Sequence, residues 1–266
     1  MDGGNMVVGD RNYTIAVAVN NTETLLNNLF LSPGLQEGHK HQILIKENFL
    51  SASEAYNSAI DEASHEIIIF IHQDIYLPEN WFTDLGQSLS YLEEKQLNWG
   101  VLGCFGVTKT EQGVGSVCDP WGVHGREIIN PESVETLDEI VLIIRKSSGL
   151  RFDPLMPHFH LYGTDICMSS KEKGMNNFAF KGFCIHNTHQ LLILPQEFYD
   201  CYFYLKKKWA KYLPIQTSCI RITTYNEKVY YRQFREWTDR VLGIKQTPKL
   251  RLEDPRLVLF NAHNNK

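Results

Sequence analysis

Residues 66–81, EIIIFIHQDIYLPENW, constrain the fold more than any other stretch of this chain. Ile67, Ile68, Ile69, Phe70 and Ile71 form an unbroken apolar run, far short of the roughly 20 residues that cross a bilayer. Its β-branched content reads as a strand buried on both faces, the kind found inside parallel sheets covered by helices. His72, Gln73 and Asp74 follow at its carboxyl end. Ligands of open α/β sheets bind just outside the carboxyl ends of strands, which makes this polar cluster a candidate site. The plainer alternative is a capped turn, with Asp74 a local hydrogen-bond acceptor and Pro78 stopping the strand.

The flanking pattern fits an α/β chain. Residues 13–19 read as a first strand, and the polar turn Asn20, Asn21, Thr22, Glu23 starts a helix through Leu25, Leu26 and Leu29. Residues 42–46 form a second strand. Residues 51–64 form a helix whose small face carries Ala52, Ala55, Tyr56, Ala59, Ile60 and Ala63, with Ser51 and Glu54 as its capping box. Strand, helix, strand, helix, strand predicts a parallel, right-handed βαβ half. A helix over 81–98 and a strand over 101–107 come next. The glycine-rich 113–125 stretch reads as a mobile or ligand-shaped loop. A strand over 140–144, a turn over 152–157, a helix over 166–173 ending at Gly174, and a strand over 178–185 delivering His186 complete this part. Beyond Pro195 two amphipathic helices are expected, over 197–212 and 230–244. The expected organisation is a flexible start over 1–12, an α/β domain over 13–194 and a helical appendage over 195–266.

Composition narrows the function classes. Lys and Arg number 26 against 31 Asp and Glu, a net charge of −5, so no basic field marks nucleic acid as the partner. The N-terminus lacks a basic region followed by an apolar core, so a cytoplasmic protein is expected, with a peripheral position at the inner face of a membrane left open. Six cysteines without CxxC spacing read as small buried hydrophobes rather than zinc or disulfide ligands.

Three separated pieces together resemble the family-2 glycosyltransferases, nucleotide-sugar-dependent enzymes of the GT-A fold. They are Ala55-Tyr56-Asn57-Ser58-Ala59 with the strand ending in Asp74, then Leu137-Asp138 through Arg145 to Phe152-Asp153-Pro154, then Phe159 through Cys167. The likeness runs over about residues 13–190. Where the family commonly carries Asp-x-Asp, this chain has His72-Gln73-Asp74, as in a His-Gln-Asp subset. The resemblance implies a GT-A fold, Rossmann-like, with a mostly parallel central sheet flanked by helices. It also implies an inverting transfer of a hexosyl or N-acetylhexosaminyl group from a nucleotide-diphospho-sugar, UDP being the usual nucleotide, to a glycan, lipid-linked or peptide acceptor.

The chemistry sets the residue types. A departing nucleoside diphosphate gathers negative charge, which a hard divalent cation can meet. Mn²⁺ is expected ahead of Mg²⁺ because it better tolerates imidazole beside oxygen ligands. Asp74 and His186 are the expected ligands, with His189 and then His72 as substitutes. Asp165 is the expected general base, held ionised at the start of a helix, with an ordinary N-capping role as the competing reading. Asp138 and Tyr162 are placed on the acceptor side. Val19, Asn20, Glu47, Asn57 and Gln73 are the positional choices for the nucleotide, while Lys46 and Arg145 are left out as solvated strand ends. The aromatic and basic helix over 197–211 is read as packing, or else as a membrane contact through Lys206, Lys207 and Lys208. A nucleotidyltransferase and a catalytically silent sugar- or nucleotide-binding module are the alternatives. The first lacks a glycine-rich, lysine-bearing loop after the opening strand.

Overall fold

The computed structural model describes residues 11–189, 193–243 and 250–264. Along the chain run β1 (Thr14–Val19), α1 (Thr22–Leu26), β2 (Gln42–Glu47), α2 (Ala52–Glu62), β3 (Ile67–His72), β4 (Ile75–Tyr76), α3 (Trp81–Glu94) and β5 (Trp99–Gly103). Then come β6 (Phe105–Val107), β7 (Gly113–Asp119), β8 (Gly122–Arg126), β9 (Glu132–Val134), β10 (Thr136–Leu137), β11 (Val141–Arg145) and α4 (Tyr162–Glu172). The chain closes with β12 (Asn176–Ala179), β13 (Cys184–His186), α5 (Gln196–Lys208), α6 (Glu227–Val241) and α7 (Arg256–Asn264).

A seven-stranded sheet in the order β2-β1-β3-β11-β5-β12-β9 forms the centre. β1 pairs in parallel with both β2 and β3, and β5 with β12, whereas β11 and β9 run against their neighbours. The sheet is therefore mostly parallel in strand direction. The run that anchors the sequence reading is β3, and alternation sends its side chains to opposite faces. Ile67, Ile69 and Ile71 join a cluster with Leu25, Leu85 and Leu89 from α1 and α3, while Ile68 and Phe70 join Tyr56, Ala59 and Ile60 of α2 and Ile166 of α4. Each such side chain contributes about 2 kcal/mol of burial. A polar substitution on either face would thus strike a core.

Ser51 caps α2 by accepting from the Glu54 amide at 3.2 Å, and Glu54 returns an acceptor to the Leu50 amide at 3.3 Å. This is the reciprocal pattern of a capping box, moved out by one residue.

Two expectations fail at one place. The apolar stretch 101–107 is not one strand: β5 ends in the large sheet at Gly103, and β6 begins a second sheet, β10-β6-β7-β13-β4. The glycine-rich 113–125 stretch is not a loop either but the hairpin β7–β8 attached to that second sheet. Gly115 explains both, since its φ is +76° and a Cβ there would sit 2.1 Å from the Cys104 carbonyl oxygen. The hairpin passes directly over the chain where it changes sheets, and only glycine allows that approach.

Of the helices beyond Pro195, α5 and α7 are packed into the molecule, while α6 buries only Val229. Phe198, Tyr202, Leu205 and Trp209 are buried with Met156, Leu161 and Met168, and Val258 of α7 lies on Cys118 and Ile185 of the second sheet. No helix of the described residues is long and apolar enough to cross a membrane. Cys104, Cys118, Cys167, Cys184 and Cys201 are buried, and Cys219 alone among the six is exposed.

Candidate active site

β3 ends between β1 and β11, and the short turn after His72 leads into β4. β13 pairs antiparallel with β4, matching His186 to Ile75, and the Asn187 amide donates to the Asp74 carbonyl at 2.9 Å. This pairing draws His186 in from a distant part of the chain. Ligand atoms of His72, Asp74 and His186 lie within 4.8 Å of one another. His186 Nε2 stands 3.4 Å from Asp74 Oδ1.

Burial and neighbouring charge act differently on the three residues. Burial works against ionisation of Asp74, but His186, His72 and Arg251 outweigh it and hold the carboxyl well below its usual range. His72 is pushed down to about 4, chiefly by burial and further by His186, so it is neutral at pH 7 with a lone pair available. Burial also disfavours charged His186, yet the adjacent Asp74 raises its affinity for a proton. One carboxylate and two imidazoles make a donor set that suits a borderline-hard divalent cation such as Mn²⁺. The residues fit the group that the sequence resemblance implies.

Of the cluster, His72 and Asp74 line a cleft of about 410 Å³, together with Val19, Asn20, Lys46, Tyr56, Gln73, Phe159 and Tyr162, among others. Gln73 works as a clamp on the loop after β1. Its Oε1 accepts from the amides of Asn20 (3.2 Å) and Asn21 (3.1 Å), and its Nε2 donates to Asn20 Oδ1. Tyr162 Oη pairs with His72 Nε2 at 2.7 Å, fixing that ring. Lys46, expected to be solvated, is 7% exposed and bonded to Ser58 (3.0 Å) and Glu62 (2.7 Å) while lining the cleft. Arg145 is likewise not a free strand end, since it donates to the Trp99 carbonyl at 2.6 Å and lies over the Trp99 ring.

Several expected residues lie elsewhere. Glu47 is exposed and outside the cleft lining, because strand alternation turns Lys46 inward instead. Asn57 spends both ends of its amide on the Phe152 backbone, at 2.8 and 3.0 Å, and so ties α2 to that turn. His189 accepts from the Arg251 amide at 3.2 Å and is not one of the three clustered residues.

Asp165 departs furthest from expectation. α4 begins at Tyr162 rather than near residue 166, because Leu161 takes a left-handed conformation (φ 59°) and serves as the N-cap position. Asp165 is therefore inside the first turn and cannot be the cap. It is 2% exposed and accepts from Lys208 Nζ (2.8 Å) and Trp209 Nε1 (2.7 Å) of the C-terminal part, away from the cleft. α5 follows the packing reading, with Lys206 bonded to Thr224 and Asn226, and Lys208 to Asp153 and Asp165.

Asp138 acts electrostatically on both His72 and His186. Its Oδ1 accepts from the Ile140 amide at 3.2 Å, and its Oδ2 makes no hydrogen bond among the described residues. Glu139 beside it accepts from the Leu161 amide at 3.0 Å and holds the unusual start of α4. Gly163 completes this junction, since a Cβ there would lie 3.1 Å from the Leu137 carbonyl oxygen. Burial, reinforced by Asp138, pushes the Glu139 carboxyl up to about 8. A raised carboxyl favours the protonated folded form. Its contribution to stability is thus full below the unfolded value of 4.5 and is lost as pH rises towards about 8. Glu139→Gln is expected to flatten that slope in urea titrations run across the same pH window.

Sequence reasoning missed Arg251 altogether. Its guanidinium donates to Asp74 Oδ2 (3.0 Å), Thr24 Oγ1 (2.6 Å) and the Asn187 carbonyl (2.7 Å). Asn187 Oδ1 and Nδ2 in turn grip the Leu252 backbone at 2.9 and 2.7 Å. No local motif surrounds Arg251, and its partner Asp74 is 177 residues away in the sequence.

Comparisons with known proteins add the following. A protein of Fuscovulum blasticum described as "ATP synthase subunits region ORF 6" is 27% identical over 154 residues, covering 55% of this chain, and the chain spans 61% of that relative's length. Among solved structures, residues 1–349 of S. aureus TarS align at a TM-score of 0.47 and 14% identity, over 74% of this chain and 65% of that one. The same TarS fragment in complex with UDP-GlcNAc aligns at 0.47 and 13%, over 74% and 66%. A197 from STIV aligns at 0.41 and 12%, over 64% and 81%. These are loose similarities of shape. The family model described as "Glycosyltransferase like family" matches residues 15–206, from β1 into α5 and across the whole cleft. The chain, an α/β protein with a mostly parallel central sheet flanked by helices, belongs to that glycosyltransferase-like family.

Proposed function

We propose that this protein transfers a sugar from a nucleotide-diphospho-sugar, with UDP as the nucleotide, to an acceptor nucleophile by direct, inverting displacement. One observation carries the reading: His72, Asp74 and His186 converge within 4.8 Å, and the first two line a cleft that the family match spans. These three residues would hold a divalent cation, Mn²⁺ ahead of Mg²⁺, which when bound supplies positive charge to the departing diphosphate. The chain's own residues do the rest. Val19, Asn20 and Lys46 border the nucleoside, and Gln73 fixes the loop that carries Asn20. Tyr162 orients His72. Asp138, with one carboxylate oxygen uncommitted, takes the acceptor proton in place of the Asp165 expected from sequence. The acceptor is a glycan, lipid-linked or peptide hydroxyl.

Thermal-shift titration with UDP, GDP, CMP and dTDP, each with Mn²⁺ or with EDTA, tests this reading. UDP is expected to raise the melting temperature only when Mn²⁺ is present. Equal shifts in EDTA would remove the metal from the reading, and no shift with any nucleotide would remove the donor. Release of UDP from UDP-sugars separates an enzyme from a silent binding module on the same fold.

A further inference from the structure

The helix α6 is amphipathic the wrong way round for a core helix. At 100° per residue, Tyr230, Phe234, Trp237 and Val241 form a single stripe, widened on one side by Tyr231 and Leu242. That stripe points to solvent: the four are 55%, 61%, 56% and 63% exposed. The side turned to the protein carries Val229, fully buried, and the pair Arg232–Glu236 at 3.0 Å. A helix that keeps its ion pair inside and its aromatics outside has its apolar partner elsewhere.

The flanks identify the partner's chemistry. Lys228 and Arg235 border the stripe on one edge and Arg240 on the other. Next to Lys228 and Arg235 lies a groove of about 420 Å³ lined also by Arg221, Arg232, Thr217 and Ser218. The Nε of Arg221 is buried there without a hydrogen-bond partner. Acidic groups near this face are mostly committed. Glu111 pairs with Arg221 at 3.3 Å, Glu236 with Arg232, and Glu227 accepts from Thr223 at 2.6 Å, leaving Asp239. A second copy of the chain would fit poorly, because joining two such stripes sets their basic edges against each other.

We propose that α6 docks on an anionic bilayer surface, with Tyr230, Phe234, Trp237 and Val241 entering the interface and the Arg221, Lys228 and Arg235 side receiving lipid phosphates. Tyr and Trp are suited to that depth because each has an apolar ring and a polar edge. Basic side chains beside the helix add electrostatic attraction to anionic headgroups. This replaces α5, where Phe198, Tyr202 and Trp209 are buried and Lys206 and Lys208 are bonded within the protein, as the membrane-facing element. It does not depend on the transferase reading, since binding is measured without donor or acceptor.

The test is co-flotation of the full chain with phosphatidylcholine vesicles, with and without phosphatidylglycerol, at low and high salt. Binding is expected only with phosphatidylglycerol and is expected to fall with salt. The Phe234→Glu/Trp237→Glu double variant should lose at least about tenfold in affinity, and Arg235→Gln about fivefold. Both sites are exposed, so the circular dichroism spectrum and any nucleotide-induced thermal shift should remain unchanged. Three results would overturn the proposal: no binding to either vesicle, undiminished binding by the double variant, or release of bound protein by millimolar inorganic phosphate at constant ionic strength. A concentration-dependent dimer that the double variant dissociates would assign the stripe to a second copy and equally overturn it.

Discussion

Asp74→Asn is expected to abolish the metal-dependent stabilisation by nucleotide and to lower transfer by on the order of 10³-fold. The substitution keeps the shape of the side chain and removes only its charge. That charge has three cationic or potentially cationic neighbours, with His186 at 3.4 Å, Arg251 at 3.0 Å and His72 in the same cluster. Without it the site offers two imidazoles and an uncompensated guanidinium, a poor host for a divalent cation. Stability should fall as well, by about 3 kcal/mol at neutral pH, because removing one member of a buried ion pair strands the other. The sign of the pH dependence follows from the depressed carboxyl. The wild type keeps this contribution above the unfolded value of 3.8 and loses it as pH falls further. The variant should lack that acid limb. Isothermal titration with Mn²⁺ and chemical denaturation measure the two effects separately. Unchanged metal binding in Asp74→Asn would contradict the proposed site.

The contrast between Asp74 and Arg251 shows what a sequence can reveal about such a site. Asp74 follows a run of five apolar residues, so a local pattern marks both the buried strand and the polar group at its exit. His186 is visible for the same reason, at the end of a later strand. His72 is harder to weigh, because its value as a ligand comes from Tyr162 fixing its ring across 90 residues of sequence. Arg251 has no local signal at all, and its position depends on Asn187 gripping the backbone of Leu252. Asn57 and Gln73 show the same limit in reverse. Both are polar residues near the cleft, but one amide is consumed by the Phe152 backbone and the other by Asn20 and Asn21. Periodicity reports which face a residue occupies, not which hydrogen bonds have already claimed it. The hairpin over 113–126 was hidden because glycines that usually signal loops here permit a close crossing at Gly115.

Asp138→Asn is expected to cut the rate of transfer by about 10²- to 10⁴-fold with nucleotide binding intact, whereas Asp165→Asn is expected to leave transfer within a few-fold of wild type. Both carboxylates precede or open elements near the cleft in sequence, and only their surroundings distinguish them. Asp138 stands close enough to His72 and His186 to influence both, with one oxygen uncommitted among the described residues. Asp165 has both oxygens engaged, by Lys208 and Trp209, and is 2% exposed. Burial raises its carboxyl above the usual range, only partly offset by Lys208 and the Trp209 hydrogen bond. Asparagine keeps the shape of the side chain and still accepts from Trp209. Lys208 keeps Asp153 at 2.6 Å as its counter-charge. Asp165→Asn should consequently cost no more than about 1 kcal/mol, while Asp165→Ala, which orphans the buried indole N–H, should cost about 3 kcal/mol. Single-turnover transfer, nucleotide thermal shift and urea denaturation on the three variants distinguish the roles. If Asp165→Asn stops transfer with stability and nucleotide binding preserved, the base is Asp165, and the ion pair with Lys208 must open during turnover. If only Asp138→Asn does so, the proton leaves through the carboxylate beside His72 and His186, and Asp165 serves to join α4 to the C-terminal helices.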